Sequence, residues 1–293
     1  MPDALLFPGQ GSQTGTMLDE LAELESFRRR HDVMSEVIGF DLRARRTSMH
    51  ANVTGSLMIV LASVVSLDLL REHGALTEPI AGVAGYSVGQ WTALYAAGAI
   101  TYEQLVRIVH RRATLMDECA ASSAGGMIAV IGVAEDALET FCAGMRDRGL
   151  FVAIANYNAV GQYTLSMEKR AAATVMQELP LLKPMKTIEL QAAGPWHCEL
   201  MRPAGEAFAR FLEDEPLKPP SIPVIDNVTG DFFAGETLAE HLFRPVRWSR
   251  GIETLAAAGV TRFVETGHGN MLTKFGFFIN RNVQHVSFRS LLG

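Results

Sequence analysis

Length, composition and charge exclude several classes of protein. The chain has 293 residues, of which 48% are hydrophobic and 20% charged, enough for one large domain or for a large domain that carries a smaller one. Its formal net charge of −6, with no long basic run, argues against a nucleic-acid-binding protein. The three cysteines, Cys119, Cys142 and Cys198, match no spacing typical of a metal or redox site.

We expect no targeting segment and no membrane span. The stretch Met1–Phe7 lacks the basic region and the apolar length of a signal peptide. The apolar run Leu57–Leu70 is interrupted by Ser63, Ser66 and Asp68. These features favour a cytoplasmic protein without a membrane partner.

The chain begins with a short apolar strand, Ala4–Phe7, and a glycine-rich turn, Pro8–Gln13. The turn lacks the Lys-Ser/Thr of a P-loop and does not complete the dinucleotide fingerprint. We therefore predict a β–α connection at the carboxyl edge of a parallel sheet, where such sheets hold ligands. Helices are predicted over Leu18–Ile38 and Leu57–Leu70. Arg28–Arg30 is interpreted as a solvated helix face, with a partner-binding patch as the alternative.

The most informative stretch is Ile80–Trp91. Its apolar first half predicts a buried parallel strand, and it ends in Gly85-Tyr86-Ser87-Val88-Gly89 before a segment compatible with a helix. Strand, sharp turn and helix form the context of a nucleophile elbow, in which the serine hydroxyl is exposed beside a helix N-terminus. A plain turn of small residues is the alternative. Ser87 is therefore the candidate nucleophile.

A strongly periodic helix is predicted over Tyr102–Cys119. Leu105, Val109 and Met116 lie on one face, and Arg112 lies in the middle of that apolar stripe. A buried guanidinium must find an anion, because an unpaired buried charge is costly. The anion is either a carboxylate of the same domain or part of a ligand, and the spacing does not decide between them.

A second unit is predicted from Gly125. Strands and helices follow in the order β-α-β-β-α-β, over residues 127–131, 135–146, 151–155, 163–167, 171–179 and 185–190. This order is typical of a ferredoxin-like module. We predict such a small domain over residues 125–194, inserted into a large α/β domain with a parallel sheet formed by residues 1–124 and 195–293.

The large domain resumes at a histidine, His197. His197 is in phase with Leu200, Ala204 and Phe208, which predicts an inward position at the start of a helix. A lone histidine in such a position is more often structural. This one, however, lies beside the junction with the small domain, where clefts tend to form.

Two further strands are predicted over Ile222–Ile225 and Arg262–Val264. A second β–α turn, which contains His268, follows the latter strand.

Six ordered motifs resemble those of the malonyl-CoA:acyl-carrier-protein transacylase family, which includes the acyltransferase domains of polyketide synthases. They are Phe7-Pro8-Gly9-Gln10-Gly11-Ser12-Gln13, Gly85-Tyr86-Ser87-Val88-Gly89, Arg112 in Arg-x-x-x-Met, His197-Cys198-x-Leu-Met, Pro223-Val224-x-x-Asn227-Val228 and Pro245-Val246-Arg247-Trp248. The resemblance covers nearly the whole chain. It implies an α/β-hydrolase-like large domain with a ferredoxin-like insertion, in agreement with the organisation predicted above.

The resemblance also implies a ping-pong reaction. Ser87 would attack the thioester of an acyl-CoA, with His197 as general base and the backbone N–H groups of Gln10 and Val88 as an oxyanion hole. The main-chain carbonyl of Arg247 would orient His197, so the site would be a Ser-His dyad without a triad aspartate. An acyl carrier protein would supply the phosphopantetheine thiol that accepts the acyl group. Acyl-CoA is the substrate, and no cofactor or metal is implied.

Three residues would shape the acyl pocket. By the same resemblance, Arg112 would hold the free carboxylate of malonyl in a bidentate pair. Trp196, beside the base, would fill the space that an α-substituent needs and would favour malonyl over methylmalonyl. Tyr86 is a further candidate substrate-binding residue.

The sequence also departs from the family pattern. Tyr86 stands where most members have histidine, Gln90 where most have glutamate, Val160 in place of a usual proline, and His268 where proline is common. The Thr-x-x-x-Gln-Pro signature is not recognisable around Asn52–Ser56. These departures concern the acyl pocket and the carrier preference, and they favour a specialised, free-standing acyltransferase of fatty-acid or polyketide biosynthesis over the housekeeping enzyme.

Several alternatives remain at this point. An acyl hydrolase on the same fold would release acyl groups to water, and a specialised acyltransferase would move a non-malonyl group. An ordinary esterase would use His268 as its base. A non-catalytic subunit would only bind a carrier protein, but the retention of Ser87, His197 and Arg112 argues against it.

Overall fold

The fold is described from a computed structural model over residues 2–11, 13–76 and 79–292, so that Ser12 of the first motif lies outside the described residues. Strands and helices alternate along the chain. The strands are β1 (Asp3–Phe7), β2 (Gly82–Gly85), β3 (Gly125–Ile131), β4 (Val152–Ala159), β5 (Gln162–Glu168), β6 (Lys186–Glu189), β7 (Arg262–Glu265) and β8 (Gln284–Ser287). The α-helices are α1 (Glu25–Ile38), α2 (Asn52–Glu72), α3 (Gly89–Ala96), α4 (Tyr102–Ser122), α5 (Glu135–Asp147), α6 (Ala172–Glu178), α7 (Arg202–Leu212), α8 (Trp248–Ala257), α9 (Met271–Ile279) and α10 (Arg289–Leu292).

The larger part of the chain is built on a four-stranded parallel sheet of order β2-β1-β7-β8. All residues of β1 and β2 are buried, as expected for strands of a parallel sheet that is covered on both faces. Phe7 pairs with Gly85, so the turns that follow β1 and β2 emerge side by side at the carboxyl edge of the sheet. This edge is where the sequence predicted a ligand site.

Helix α4 begins at a capping box. The Thr101 hydroxyl accepts a hydrogen bond from the backbone N–H of Gln104, and the Gln104 side chain accepts one from the backbone N–H of Thr101. Leu105, Val109 and Met116 are buried on one face of α4, and Arg112 is buried among them, as the periodicity predicted.

Helix α2 forms the centre of the large hydrophobic core. It is the one helix in the described part of the chain that is long and apolar enough to cross a membrane. However, 94% of its most apolar 18-residue stretch is buried inside the protein. A buried core helix passes the same test of length and hydropathy as a membrane span.

Residues 125–189 form a second, antiparallel sheet of order β4-β5-β3-β6, with α5 and α6 in the β-α-β-β-α-β sequence that was predicted. The sheet has its own hydrophobic cluster, whose buried members all lie between Ile128 and Leu179. It touches the large part through a backbone hydrogen bond from Tyr157 to the carbonyl of Val246. The second sheet therefore has a core of its own, but Met127 on β3 and Ala155 on β4 pack in the large core.

Some predicted elements were wrong. The predicted strand Ile222–Ile225 is reduced to two isolated bridges, a parallel one between Val224 and Val83 and an antiparallel one between Ile225 and Phe232. The predicted helix Leu18–Ile38 is a short 3-10 turn followed by α1, which begins at Glu25. Arg30, predicted to be solvated, is only 20% exposed and pairs with Asp68, whereas Arg28 and Arg29 are largely exposed.

Candidate active site

Ser87 lies in a strained turn between β2 and α3. Its φ of 52° is in the left-handed region, which residues with side chains rarely adopt. A Cβ atom on Gly85 would collide with the carbonyl of Gly89, and one on Gly89 would collide with the carbonyl of Phe7. Only glycine fits at both positions, so the Gly-x-Ser-x-Gly motif is a steric requirement of this turn.

The structure brings Ser87 and His197 together. Ser87 Oγ lies 2.7 Å from His197 Nε2, and His197 Nδ1 lies 2.9 Å from the carbonyl oxygen of His241. A carbonyl can only accept, so Nδ1 carries the proton and Nε2 is free to accept the serine proton. His197 also has a left-handed φ, of 57°, and it lies before the 3-10 turn that begins at Glu199 rather than in a helix.

The prediction for the group that orients His197 was wrong. The carbonyl that accepts from His197 belongs to His241, not to Arg247. The carbonyl of Arg247 instead accepts from the backbone N–H of Gly251, because Arg247 caps the N-terminus of α8. The guanidinium of Arg247 lies 4.0 Å from the centre of the Tyr157 ring, in the contact between the two sheets.

His197 is held in its neutral form. Burial is the main cause that lowers its pKa to about 3, the positive charge of Arg112 lowers it further, and the hydrogen bond to the His241 carbonyl opposes both effects. A neutral imidazole beside a serine hydroxyl can act as a general base at ordinary pH.

Arg112 is a buried cation beside the nucleophile. It is 2% exposed, and its Nη2 lies 3.4 Å from Ser87 Oγ. No carboxylate of the described residues lies within ion-pair distance of it, and its Nε has no hydrogen-bond partner there. Burial lowers its pKa to about 10. An internal salt bridge, the structural alternative for Arg112, is therefore not present in the described part of the protein.

Gln10 and Val88 each present a backbone N–H near the elbow. Within the described ranges neither N–H donates a hydrogen bond. The side chain of Gln10 is fixed at the start of α2 by bonds from Nε2 to Asn52 Oδ1 (2.9 Å) and Ser56 Oγ (2.9 Å). Two backbone donors that remain free beside a half-buried serine are the components an oxyanion hole requires.

A cavity of about 270 Å³ opens onto the dyad. It lies between the two sheets, and its lining includes Gln10, Tyr86, Ser87, Trp196 and His197. Arg112 does not line this cavity but lies behind it, against Ser87.

Both aromatic candidates, Tyr86 and Trp196, are hydrogen-bonded to residues of the second sheet. The Tyr86 hydroxyl donates to Asn158 Oδ1 at 2.7 Å, and burial raises its pKa. The main-chain carbonyl of Trp196 accepts from Ser166 Oγ at 2.5 Å.

His268 has a different partner. Its Nε2 lies 3.3 Å from the Thr14 hydroxyl, and the ring bonded to Ser87 is that of His197. The interpretation as an ordinary esterase with His268 as the base therefore has no support in this geometry.

Sequence reasoning missed two residues of the site. Asn227 Oδ1 accepts from the backbone N–H of Ser87 at 2.9 Å and lies 3.0 Å from His241 Nε2. Asn227 stood in one of the six motifs but received no role, and His241 was not singled out at all. In the described ranges, no three His, Cys, Asp or Glu side chains are grouped so that they could hold a metal ion.

Comparisons with known proteins agree on one family. Residues 4–274 match the sequence pattern of the acyl transferase domain. The malonyl CoA-acyl carrier protein transacylase of Bacillus subtilis is 31% identical, over 97% of this chain and 92% of that protein. A polyketide biosynthesis malonyl CoA-acyl carrier protein transacylase of the same organism, PksC, is 33% identical over 92% of this chain and 93% of that protein.

Solved structures agree with the sequence matches. An acyl-carrier-protein S-malonyltransferase from Burkholderia pseudomallei has a TM-score of 0.93 at 26% identity, over 100% of this chain and 98% of that chain. A type II polyketide synthase acyl-carrier protein in complex with its malonyl-transacylase gives a match with a TM-score of 0.91 at 28% identity, over 98% of this chain and 94% of the matched chain.

Proposed function

Because the chain belongs to the acyltransferase family of the malonyl-CoA:acyl-carrier-protein transacylases, we propose that it transfers a malonyl group from CoA to the phosphopantetheine thiol of an acyl carrier protein. The relatives' names support acyl transfer to a carrier protein, and one solved neighbour is a complex with such a carrier. The identity of the acyl group and the roles of individual residues are the finer parts of the proposal.

In the first half-reaction, Ser87 Oγ attacks the thioester carbonyl while its proton passes to His197 Nε2. The backbone N–H groups of Gln10 and Val88 stabilise the oxyanion of the tetrahedral intermediate. The intermediate collapses to an acyl-serine, and the CoA sulfur leaves with the proton from His197. In the second half-reaction the carrier thiol gives its proton to His197, attacks the acyl-serine and regenerates the Ser87 hydroxyl. Both halves exchange an acyl group between nucleophiles, so we propose that no cofactor is needed.

The observation that carries the malonyl assignment is the environment of Arg112. A wholly buried guanidinium 3.4 Å from Ser87 Oγ, without a carboxylate partner among the described residues, offers a site for the substrate's free carboxylate. An acyl chain without a carboxylate would leave this charge uncompensated.

The experiment that tests the reaction is intact-mass analysis after mixing with malonyl-CoA. The wild-type protein should gain one malonyl group, and Ser87→Ala should gain none while its circular dichroism stays unchanged. Added carrier protein should remove the group and appear as malonyl-carrier protein. Release of free malonate at the same rate without the carrier would instead favour the acyl hydrolase.

The experiment that tests the acyl group is Arg112→Ala. This variant should lose most activity with malonyl-CoA, because breaking a desolvated charge pair typically costs about 2–5 kcal/mol. It should keep its reactivity with acetyl-CoA, which has no carboxylate. Arg111→Ala is the matched control, since Arg111 lies on the same helix but is 44% exposed and faces Glu118. A parallel loss of both substrates in Arg112→Ala would contradict the assignment.

The domain organisation is part of the proposal. We assign residues 125–194 to a ferredoxin-like module and residues 1–124 and 195–293 to an α/β-hydrolase-like domain. The strand order of the second sheet and its separate hydrophobic cluster support the first assignment. The parallel sheet and its strained serine turn support the second. A cytoplasmic location stays a prediction from the sequence.

A further inference from the structure

A closed ring of hydrogen bonds runs from Ser87 back to Ser87. Ser87 Oγ bonds to His197 Nε2 (2.7 Å), and His197 Nδ1 donates to the main-chain carbonyl of His241 (2.9 Å). The side chain of His241 returns through Nε2 to Asn227 Oδ1 (3.0 Å), which accepts from the backbone N–H of Ser87 (2.9 Å). The ring thus joins the hydroxyl of the nucleophile, the base and the backbone of the nucleophile.

The orientation of Asn227 is fixed by its other contacts. Its Nδ2 donates to the carbonyl of Gly85 (2.5 Å) and to Gln90 Oε1 (2.6 Å), and its backbone N–H donates to the same Gln90 oxygen (3.1 Å). Both amide hydrogens are therefore used, and Oδ1 must face Ser87 and His241 as an acceptor. Asn227 is 3% exposed, so water does not compete for these bonds.

The tautomer of His241 follows from this orientation. Asn227 Oδ1 only accepts, so His241 Nε2 must donate and Nδ1 must be bare. Nδ1 indeed has no partner in the described part of the chain. Burial lowers the pKa of His241 well below its ordinary value, and the charge of Arg112 acts in the same direction. The ring is therefore neutral and keeps the tautomer that the bond to Asn227 requires.

His241 lies in the 3-10 turn Glu240–Leu242, and this turn holds His197 at two atoms. The carbonyl of His241 accepts from Nδ1, and the carbonyl of Leu242 accepts from the backbone N–H of His197 at 3.2 Å. The side chain of His241 connects this turn to Asn227, and Asn227 connects it to the elbow. A shift of the turn would therefore move the base relative to the nucleophile.

We propose that Asn227 and the side chain of His241 form a positioning pair that sets the distance between His197 and Ser87. Neither residue is catalytic, because neither contacts the reacting atoms. The inference rests on the proposed function only for the choice of acyl donor.

The sharpest test compares His241→Gln with His241→Leu. Both variants keep the main-chain carbonyl that accepts from His197, but only glutamine keeps an N–H donor for Asn227. His241→Leu and Asn227→Ala should each slow acylation of Ser87 about 10- to 100-fold, as expected for misplaced reacting groups, with KM for malonyl-CoA changed less than about two-fold. His241→Gln should recover most of the wild-type rate.

The control is Thr229→Ala in the same loop. Among the described residues, the Thr229 hydroxyl is hydrogen-bonded only to Asp226 and to the backbone N–H of Asp231, so the acylation rate should stay at the wild-type value. Thermal unfolding of every variant separates a positioning role from general loss of structure. If Asn227→Ala does not fold, the comparison of His241→Leu with His241→Gln still tests the inference, because both of these variants leave the contacts of Asn227 with Gly85 and Gln90 intact.

A fluorophosphonate that labels reactive serines makes the test independent of the acyl donor. If the wild-type protein labels but does not take up malonyl, the proposed acyl group is wrong, and the labelling rates of the same variants still test the positioning pair. Equal acylation or labelling rates for His241→Leu and His241→Gln would overturn the inference. So would variants that change KM for malonyl-CoA but leave the acylation rate unchanged.

Discussion

Ser87 and His197 share a left-handed backbone conformation, but different parts of the chain hold them in it. Ser87 is shaped mainly within its own turn, where Gly85 and Gly89 allow the close approach and the Ser87 carbonyl accepts from the backbone N–H of Gln90. One bond from outside the turn supports it, from the backbone N–H of Ser87 to Asn227 Oδ1. His197 is fixed by a distant turn, in which the carbonyl of Leu242 accepts from its backbone N–H and the carbonyl of His241, 44 residues later in the chain, accepts from its Nδ1. The conformation of the nucleophile is therefore set mainly by neighbouring residues, and the position of the base is set by residues distant in sequence.

This difference determines how the surroundings of each residue should respond to substitution. A change in the turn of Ser87 acts through steric collision in a few residues, so it should affect folding and activity together. A change in the contacts of His197 removes one contact from a cluster that other contacts still hold, so it should affect activity with little loss of stability. The first two predictions test these expectations.

Loss of the base should give the largest effect. His197→Ala removes the group that accepts the Ser87 proton, so acylation by malonyl-CoA should slow about 10²–10⁴-fold, measured by rapid quench and mass analysis. His268→Ala should be close to wild type, since His268 contacts Thr14 and not Ser87. The reverse order of the two losses would restore the esterase interpretation.

The same difference explains what the sequence could and could not predict. Ser87 was predictable because glycines at positions 85 and 89, an apolar strand and a helix all lie within one short stretch. His197 was predictable only together with its neighbouring motif. The carbonyl that orients it was assigned to Arg247 and belongs to His241, because a main-chain carbonyl carries no side-chain signature and its partner is distant in sequence.

For Arg112, the burial could be predicted from the sequence but the absence of a nearby carboxylate among the described residues could not. Helical spacing predicted its burial, which the structure confirms, but spacing carries no information about which carboxylates lie nearby in space. The parallel sheet and the β-α-β-β-α-β order were predicted correctly from alternation of elements. The wrong strand at Ile222–Ile225 has a similar cause, since an apolar run beside the sheet edge forms one bridge to Val83 without a full register of pairs.

A substitution that creates a steric collision in the turn of Ser87 tests whether folding and activity depend together on this turn. Gly85→Ala places a Cβ against the carbonyl of Gly89, so it should destabilise the fold by about 1–3 kcal/mol and also reduce acylation of Ser87. Gly144→Ala in α5 is the matched control, because a Cβ there meets nothing within 4 Å and alanine should stabilise the helix by about 0.5–1 kcal/mol. Chemical denaturation and the malonyl adduct would be measured on both. Full activity of Gly85→Ala would show that the turn tolerates a side chain.

A smaller effect is expected at Trp196, which is one of the residues that line the cavity beside His197. Trp196→Ser should narrow the preference for malonyl over methylmalonyl, since one methyl group in an apolar pocket is worth about 1–3 kcal/mol. Trp196→Phe keeps a ring and should keep most of the preference. The measurement is kcat/KM with the two acyl-CoAs, and unchanged selectivity in Trp196→Ser would mean that the ring does not face the acyl group.

The smallest expected effect is a shift in the acid limb of the rate profile. A histidine with its ordinary pKa of about 6.5 would lose its function as a base as the pH falls through that value. Burial and the charge of Arg112 lower the pKa of His197 to about 3, so protonation sets in only at much lower pH. The acylation rate, measured with acetyl-CoA over the range in which the protein stays folded, should therefore be flat between about pH 8 and pH 5.

Removal of the Arg112 side chain should shift the acid limb of the rate profile to higher pH. A positive charge disfavours the protonated imidazole, so Arg112→Ala should raise the pKa of His197 and shift the acid limb to higher pH. Burial remains the larger cause, so the limb should stay below the ordinary value of about 6.5. Arg111→Ala removes an equal but exposed charge from the same helix and should leave the profile in place. A limb near pH 6.5 in the wild-type protein would mean that water reaches His197 and that the base is not held neutral by burial.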